Sequence, residues 1–187
     1  ESMRVELENN DKLRFVYGNL VPSAKSRDSV KWTNTHFETR NGVNLVARGA
    51  GKGRGVNIKN QRPTKIIIDD AEDDEMVRSY VRRQKFHDWL YNVIIPSLDK
   101  ERGRIKMIGT VIHPEVEILK FYEKHGGIFH KAIEKGESVW KERYTLADLA
   151  EIKEKIGTRA FMQEYMNEPI NEELARVKPQ WIDENLY

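Results

Sequence analysis

The chain has 187 residues, 39% of them hydrophobic and 33% charged, with a formal net charge of +2. This length can support one domain with a hydrophobic core, and so small a net charge makes any nucleic-acid partner a matter of local patches. Without cysteine there is no disulfide framework or thiolate metal site, and no apolar stretch approaches the roughly 20 residues that cross a bilayer.

The opening residues, Glu1-Ser2-Met3-Arg4, lack the apolar core of a signal peptide, which points to a cytoplasmic protein. A first residue other than Met suggests a piece of something longer. Residues 1–10 read as the tail of a polar helix and residues 13–18 as a strand. Residues 19–34 form a polar loop in which Trp32 is the expected anchor. Strand-like runs at residues 36–39 and 43–47 then flank Arg40-Asn41-Gly42, and Asn-Gly in that position predicts a hairpin.

From position 48 to position 65 the chain is basic and glycine-rich: it carries Arg48, Lys52, Arg54, Lys59, Arg62 and Lys65, threaded by four glycines and free of acids. Glycines allow backbone amides and an arginine to approach a phosphate closely, although a solvated hairpin accounts for them equally well. Gly51-Lys52 is not a P-loop, because Val46 stands where the first glycine is required and Gly53 where the hydroxyl is required.

Ile66-Ile67-Ile68-Asp69-Asp70 follows, continued by Ala71-Glu72-Asp73-Asp74-Glu75. Three β-branched residues in a row predict a strand buried on both faces, as in a parallel sheet, with the carboxylates at its C-terminal tip. Ligands of open α/β sheets bind at such tips, and adjacent acids there can hold Mg²⁺ and orient a water beside a phosphate, as in a Walker B element. An ordinary strand end leading into an acidic helix start is the plainer reading of the same residues.

One long helix is expected over residues 74–96, with acids in its first turn and Pro96 at its far end. Val77, Tyr80, Val81, Phe86, Trp89, Leu90, Val93 and Ile94 would supply its buried side. Arg78, Arg82, Arg83 and Lys85 would form a solvated basic face or, on the sharper reading, contact DNA. Arg104-Ile105-Lys106-Met107-Ile108 gives a second apolar strand ending in Gly109-Thr110, where a hydroxyl could sense a γ-phosphate. A helix is expected over residues 115–124, a last strand over 128–133, and a helix from a Thr145 cap to Ile156 with Gly157 as its stop. Thr158 caps the next helix, in which Phe161 and Tyr165 face the same way, and residues 169–187 read as a linker. The fold class that follows is α/β, layered, with a mostly parallel sheet.

The order of these pieces resembles the ATPase domain of the large terminase subunit of tailed bacteriophages. The likeness is carried by Arg54-Gly55, Arg62-Pro63, residues 66–70 with their acidic tail, Trp89, Ile108-Gly109-Thr110, and the run from Thr158 to Asn167-Glu168-Pro169. It implies a P-loop-NTPase-like (ASCE) fold, with residues 1–168 as the C-terminal portion of the ATPase domain and 169–187 as a linker toward a nuclease domain. It also implies a motor that uses ATP and Mg²⁺ to drive double-stranded DNA into a procapsid. The partners implied are further copies of itself in a ring, the portal protein and the small terminase subunit, in the host cytoplasm and without a membrane.

On that resemblance Asp69 matches the Mg²⁺ ligand. Asp70 stands where many such ATPases carry a glutamate that activates water, so either Asp70 or Glu72 fills that role. Arg54 best matches the trans-acting arginine finger, with Arg62 as the alternative, and Gly109 and Thr110 match the element that couples hydrolysis to movement. The family's P-loop would lie upstream of Glu1 and its nuclease carboxylates downstream of Tyr187, so the 187 residues alone are expected to be inactive, with exposed sheet edges and apolar helix faces. Rival readings are a helicase-like ATPase, a nucleic-acid-binding module without catalysis, and a metal-dependent nuclease. The last is disfavoured because its acids would come from one contiguous run.

Overall fold

The computed structural model describes residues 3–23, 30–51 and 60–170, and the chain divides into two compact units, Glu1–Gln61 and Arg62–Tyr187. In the first unit, α1 (Met3–Asn9) is followed at once by α2 (Asp11–Tyr17). The strand expected at residues 13–18 is thus a helix. The reason is local: the Asn10 side chain accepts from the amides of Lys12 and Leu13 at 3.0 and 3.2 Å, an N-cap that starts a new helix, and Gly18 at φ 73° stops it.

The predicted hairpin is present, with β1 (His36–Glu38) antiparallel to β2 (Asn44–Val46) and Phe37 opposite Leu45. Phe37 is buried against the edge of Trp32, whose indole N–H donates to Glu8 at 2.7 Å. Trp32 therefore anchors its loop as expected.

The second unit is built on two parallel strands, β3 (Lys65–Asp69) and β4 (Arg104–Ile108), in register from Lys65 opposite Arg104 to Asp69 opposite Ile108. Side chains alternate between the faces of a strand, so Ile66 and Ile68 share one face with Ile105 and Met107. That face packs on Phe86, Leu90 and Ile94. The opposite face is not covered: Ile67 and Ile108 are 52% and 53% exposed. The burial of β3 on both faces expected from its β-branched run is therefore not observed, because among the described residues no element covers the second face. Among the described residues the remaining sheets are the β1–β2 hairpin and a small hairpin of β5 (Ile133–Glu134) and β6 (Glu137–Ser138). The architecture is mixed α/β, with a parallel pair at the centre of the second unit.

The helix expected over 74–96 is divided. Asp73 caps α3 (Asp74–Arg78) by accepting from the Met76 amide at 2.7 Å, and Ser79 leaves helical geometry to cap α4 (Tyr80–Trp89). This offset leaves Tyr80 and Val81 exposed, against expectation, while Val77 and Phe86 are buried. Past Trp89 the helix widens into a π turn over Leu90–Ile94 before α5 (Ile95–Ser97). Pro96 has no amide hydrogen and its ring crowds the carbonyl four residues back, so the ladder shifts ahead of it and the Ile95 amide reaches Leu90.

After β4 comes α6 (Glu117–His125), ended by Gly126 at φ 73°. The strand expected over 128–133 is mostly irregular, with Ile128 exposed. The pairing begins only at Ile133, where Lys135-Gly136, both at positive φ, supply the tight turn. In α7 (Leu146–Glu164) Thr145 and Asp148 form a reciprocal capping box, and Gly157 interrupts the helix at φ 83°. Phe161 and Tyr165 stack at 5.2 Å, as the spacing predicted. Among the described residues no helix is long and apolar enough to cross a membrane.

Leu90 is completely buried between the sheet and the helices. Leu90→Ala should lower the unfolding free energy of the chain by about 2–5 kcal/mol in chemical denaturation. A change within about 0.5 kcal/mol, typical of surface positions, would contradict this packing.

Candidate functional site

Parallel pairing brings the C-terminal tips of β3 and β4 side by side. One further bond extends the ladder beyond the strands, from the Asp70 amide to the Ile108 carbonyl at 3.0 Å. Asp70 has a left-handed backbone, φ 46°, which aspartate tolerates better than most residues. A Cβ built on Gly109 would lie 3.9 Å from both Cα and Oδ1 of Asp70 and 3.3 Å from Cδ1 of Ile118. Glycine thus lets the end of β4 pass closely between the acidic tip and the first turn of α6.

Asp69 and Asp70 are both exposed, and neither carboxylate has a hydrogen-bond or ion-pair partner among the described residues. The Thr110 hydroxyl beside them is likewise without a partner among the described residues. So the structure brings Asp69, Asp70, Gly109 and Thr110 to one edge, with the two aspartates exposed and Thr110 half-buried.

Glu72 is held differently. Its two carboxylate oxygens accept from the backbone amides of Glu117 and Ile118, at 2.7 and 2.9 Å, and so cap the N-terminus of α6. The local cap position is Val116, which has no side-chain acceptor to offer, so the missing acceptor arrives from a residue far back in the chain. Burial pushes the Glu72 carboxyl above its ordinary range. The two amides and Lys120 pull it down, and the neighbouring Glu117 carboxylate adds to the rise.

Glu117 itself is only 3% exposed and lies 3.1 Å from Nδ1 of His87 and 3.9 Å from Nζ of Lys120. Tyr91, whose ring lies 4.5 Å from that of His87, has its phenol pushed up by burial and by the Glu117 charge. Glu117 is thus a buried carboxylate between α4 and α6, met by the partly exposed side chains of His87 and Lys120.

Arg54 lies outside the described residues. Arg62 is exposed, precedes the first residue of β3 at the end opposite the acids, and donates to the Pro96 carbonyl at 2.8 Å. Of the basic helix stretch, Arg82 pairs with Glu75 at 2.8 Å, and Arg83 pairs with Glu115 while donating to the Val77 carbonyl. Arg78 and Lys85 are exposed.

Sequence reasoning assigned no role to Asn167, the residue that ties the β4 tip to the segment just after α7. Its Oδ1 accepts from the Val111 amide and its Nδ2 donates to the His130 carbonyl, both at 2.8 Å. The available signal was an asparagine shortly after a helix, in a position that favours left-handed backbone; its φ is 54°. Among the described residues no group of three or more His, Asp or Glu side chains is arranged to hold a metal by itself. The chain matches no family model and no curated protein.

A glutamate whose folded pKa is raised binds its proton more tightly in the folded state. Its stabilising contribution is present below the ordinary value of 4.5 and declines as pH rises through the folded value. Wild-type unfolding free energy minus that of Glu72→Gln should therefore shrink as pH is raised from below 4.5 toward neutrality. A difference that instead grows with pH would show that the two amide bonds outweigh burial.

Proposed function

We propose that the chain is the post-P-loop part of an ATP-driven DNA-packaging motor subunit of the large terminase class. The observation that supports this most is the pairing of two open carboxylates, Asp69 and Asp70, with a glycine and a free hydroxyl, Gly109 and Thr110, at adjacent tips of parallel strands. The ligand-binding edge of an open α/β sheet has this form.

Mg²⁺ bound with a nucleotide takes one or two protein carboxylates and completes its octahedron with phosphate oxygens and water, so it needs no cluster of three acids. Asp69, at the last position of β3, would hold the ion, which when bound would neutralise charge on the phosphates. Asp70 then orients and deprotonates the attacking water. Glu72 is the weaker candidate for that role, because both of its oxygens already accept amides of α6. Thr110 would contact the γ-phosphate or its water across the 109–110 step. Arg54 remains the better candidate for the finger, supplied to a neighbouring copy in a ring. The positive stretch along α3 and α4 is a poorer DNA surface than its composition suggests, since Arg82 and Arg83 are engaged within the chain.

The complete gene product carrying this stretch should hydrolyse ATP, and Asp70→Asn should cut turnover by about 10²- to 10⁴-fold, as loss of a general base does. Arg54→Ala should cost about 10³- to 10⁵-fold, with the variant still folded by circular dichroism. Variants that turn over like wild type would make the acidic tip structural and favour a nucleic-acid-binding module. The 187 residues alone should show no turnover, and measurable hydrolysis by them would overturn the assignment of the phosphate cradle to a separate stretch.

A further inference from the structure

The motor reading leaves open how an event at the β4 tip reaches the rest of the molecule. Gly109 and Thr110 end in Val111, whose side chain is buried with those of Val77 and Val116, directly after the tip. The Val111 amide lies beyond the last residue of β4, so no strand partner can accept it; Asn167 does, and its amide nitrogen simultaneously reaches the His130 carbonyl. The side chain therefore bridges two backbone segments that are 56 and 37 residues away in sequence.

Everything around Asn167 fastens the same segment. The Ala132 amide donates to the Tyr165 carbonyl at 2.7 Å, the Glu168 amide to the Met162 carbonyl at 2.8 Å, and Lys131 pairs with Glu168. Residues 165–168 are thus laced both to α7 and to residues 130–132. By contrast, the β4 tip reaches this assembly through the carboxamide of Asn167. A buried amide left without an acceptor is costly, so a displacement of Val111 must carry Asn167 with it or break a bond that nothing else replaces.

We propose that Asn167 is a positioning residue that clasps the β4 tip to the C-terminal segment, and that movement of Gly109-Thr110 on hydrolysis passes through this clasp to residues 165–168. The proposal rests on the motor reading above and adds to it the route of coupling. Asn167 touches neither Asp69 nor Asp70, so its loss is expected to separate chemistry from movement rather than to stop chemistry.

Two substitutions isolate the side chain from the backbone. Asn167→Gly keeps the left-handed conformation and removes both hydrogen bonds. Asn167→Asp keeps the acceptor for Val111 but sets a carboxylate oxygen against the His130 carbonyl. In the complete gene product, both variants should retain wild-type ATP turnover, while DNA translocated per ATP falls at least about tenfold, within the range of ordinary coupling between sites. In the glycine variant, hydrogen exchange at the Val111 amide should accelerate.

A glycine variant that remains fully coupled would overturn the proposal, since the left-handed backbone alone would then suffice. Loss of turnover and translocation together would also overturn it, by making the clasp a purely structural support. A wild-type protein that translocates DNA but has unchanged coupling in both variants refutes the clasp alone. A wild-type protein with no ATP turnover refutes the motor reading, and the proposal with it.

Discussion

The parallel pairing of β3 with β4 is the constraint on which the larger unit depends. It buries Ile66, Ile68, Ile105 and Met107 against Phe86, Leu90 and Ile94, and it runs one hydrogen bond past the strands to the amide of Asp70. That last bond sets Asp69 and Asp70 beside Gly109 and Thr110. A slip of one residue would move every side chain of the strand to the other face and remove the acids from the edge where a phosphate could meet them.

Glu72 extends this constraint into the helices. A helix whose cap position holds valine begins with unsatisfied amides, and the carboxylate that follows the acidic tip supplies the acceptors. The first turn of α6 is consequently fixed with respect to both strand tips, with Ile118 closing on Gly109. Two carboxylates, Glu72 and Glu117, share that helix N-terminus. Its partial positive charge, His87 and Lys120 offset the cost of placing them together away from water. The acidic run 69–75 thus divides by function: Asp69 and Asp70 face outward, Glu72 caps α6, Asp73 caps α3, and Glu75 pairs with Arg82.

Much of this was legible in local chemistry. The β-branched run, the Arg-Ile-Lys-Met-Ile strand, the Asn-Gly hairpin and the Thr145 capping box each carry a signal within a few residues. What escaped reading depended on competition or distance. Residues 13–18 carry the β-branched and aromatic side chains of a strand, yet Asn10 caps a helix there. Ser79 divides a helix whose apolar spacing looked continuous, which leaves Tyr80 and Val81 on the surface. Burial of Ile67 could not follow from its own sequence, because covering that face requires another element. The tasks of Glu72 and Asn167 were invisible for the same reason: each side chain serves backbone groups dozens of residues away. Arg54 lies outside the described residues, so its assignment still rests on sequence resemblance.

The central claim is that the β3 tip receives a metal-bound nucleotide, with Asp69 as the protein's ligand. Electron paramagnetic resonance of Mn²⁺ bound to the complete gene product, with and without ATP, tests it without relying on catalysis. The account predicts an ATP-dependent protein-bound Mn²⁺ signal that Asp69→Asn abolishes while ATP itself still binds. An identical ATP-dependent signal in the variant would contradict it.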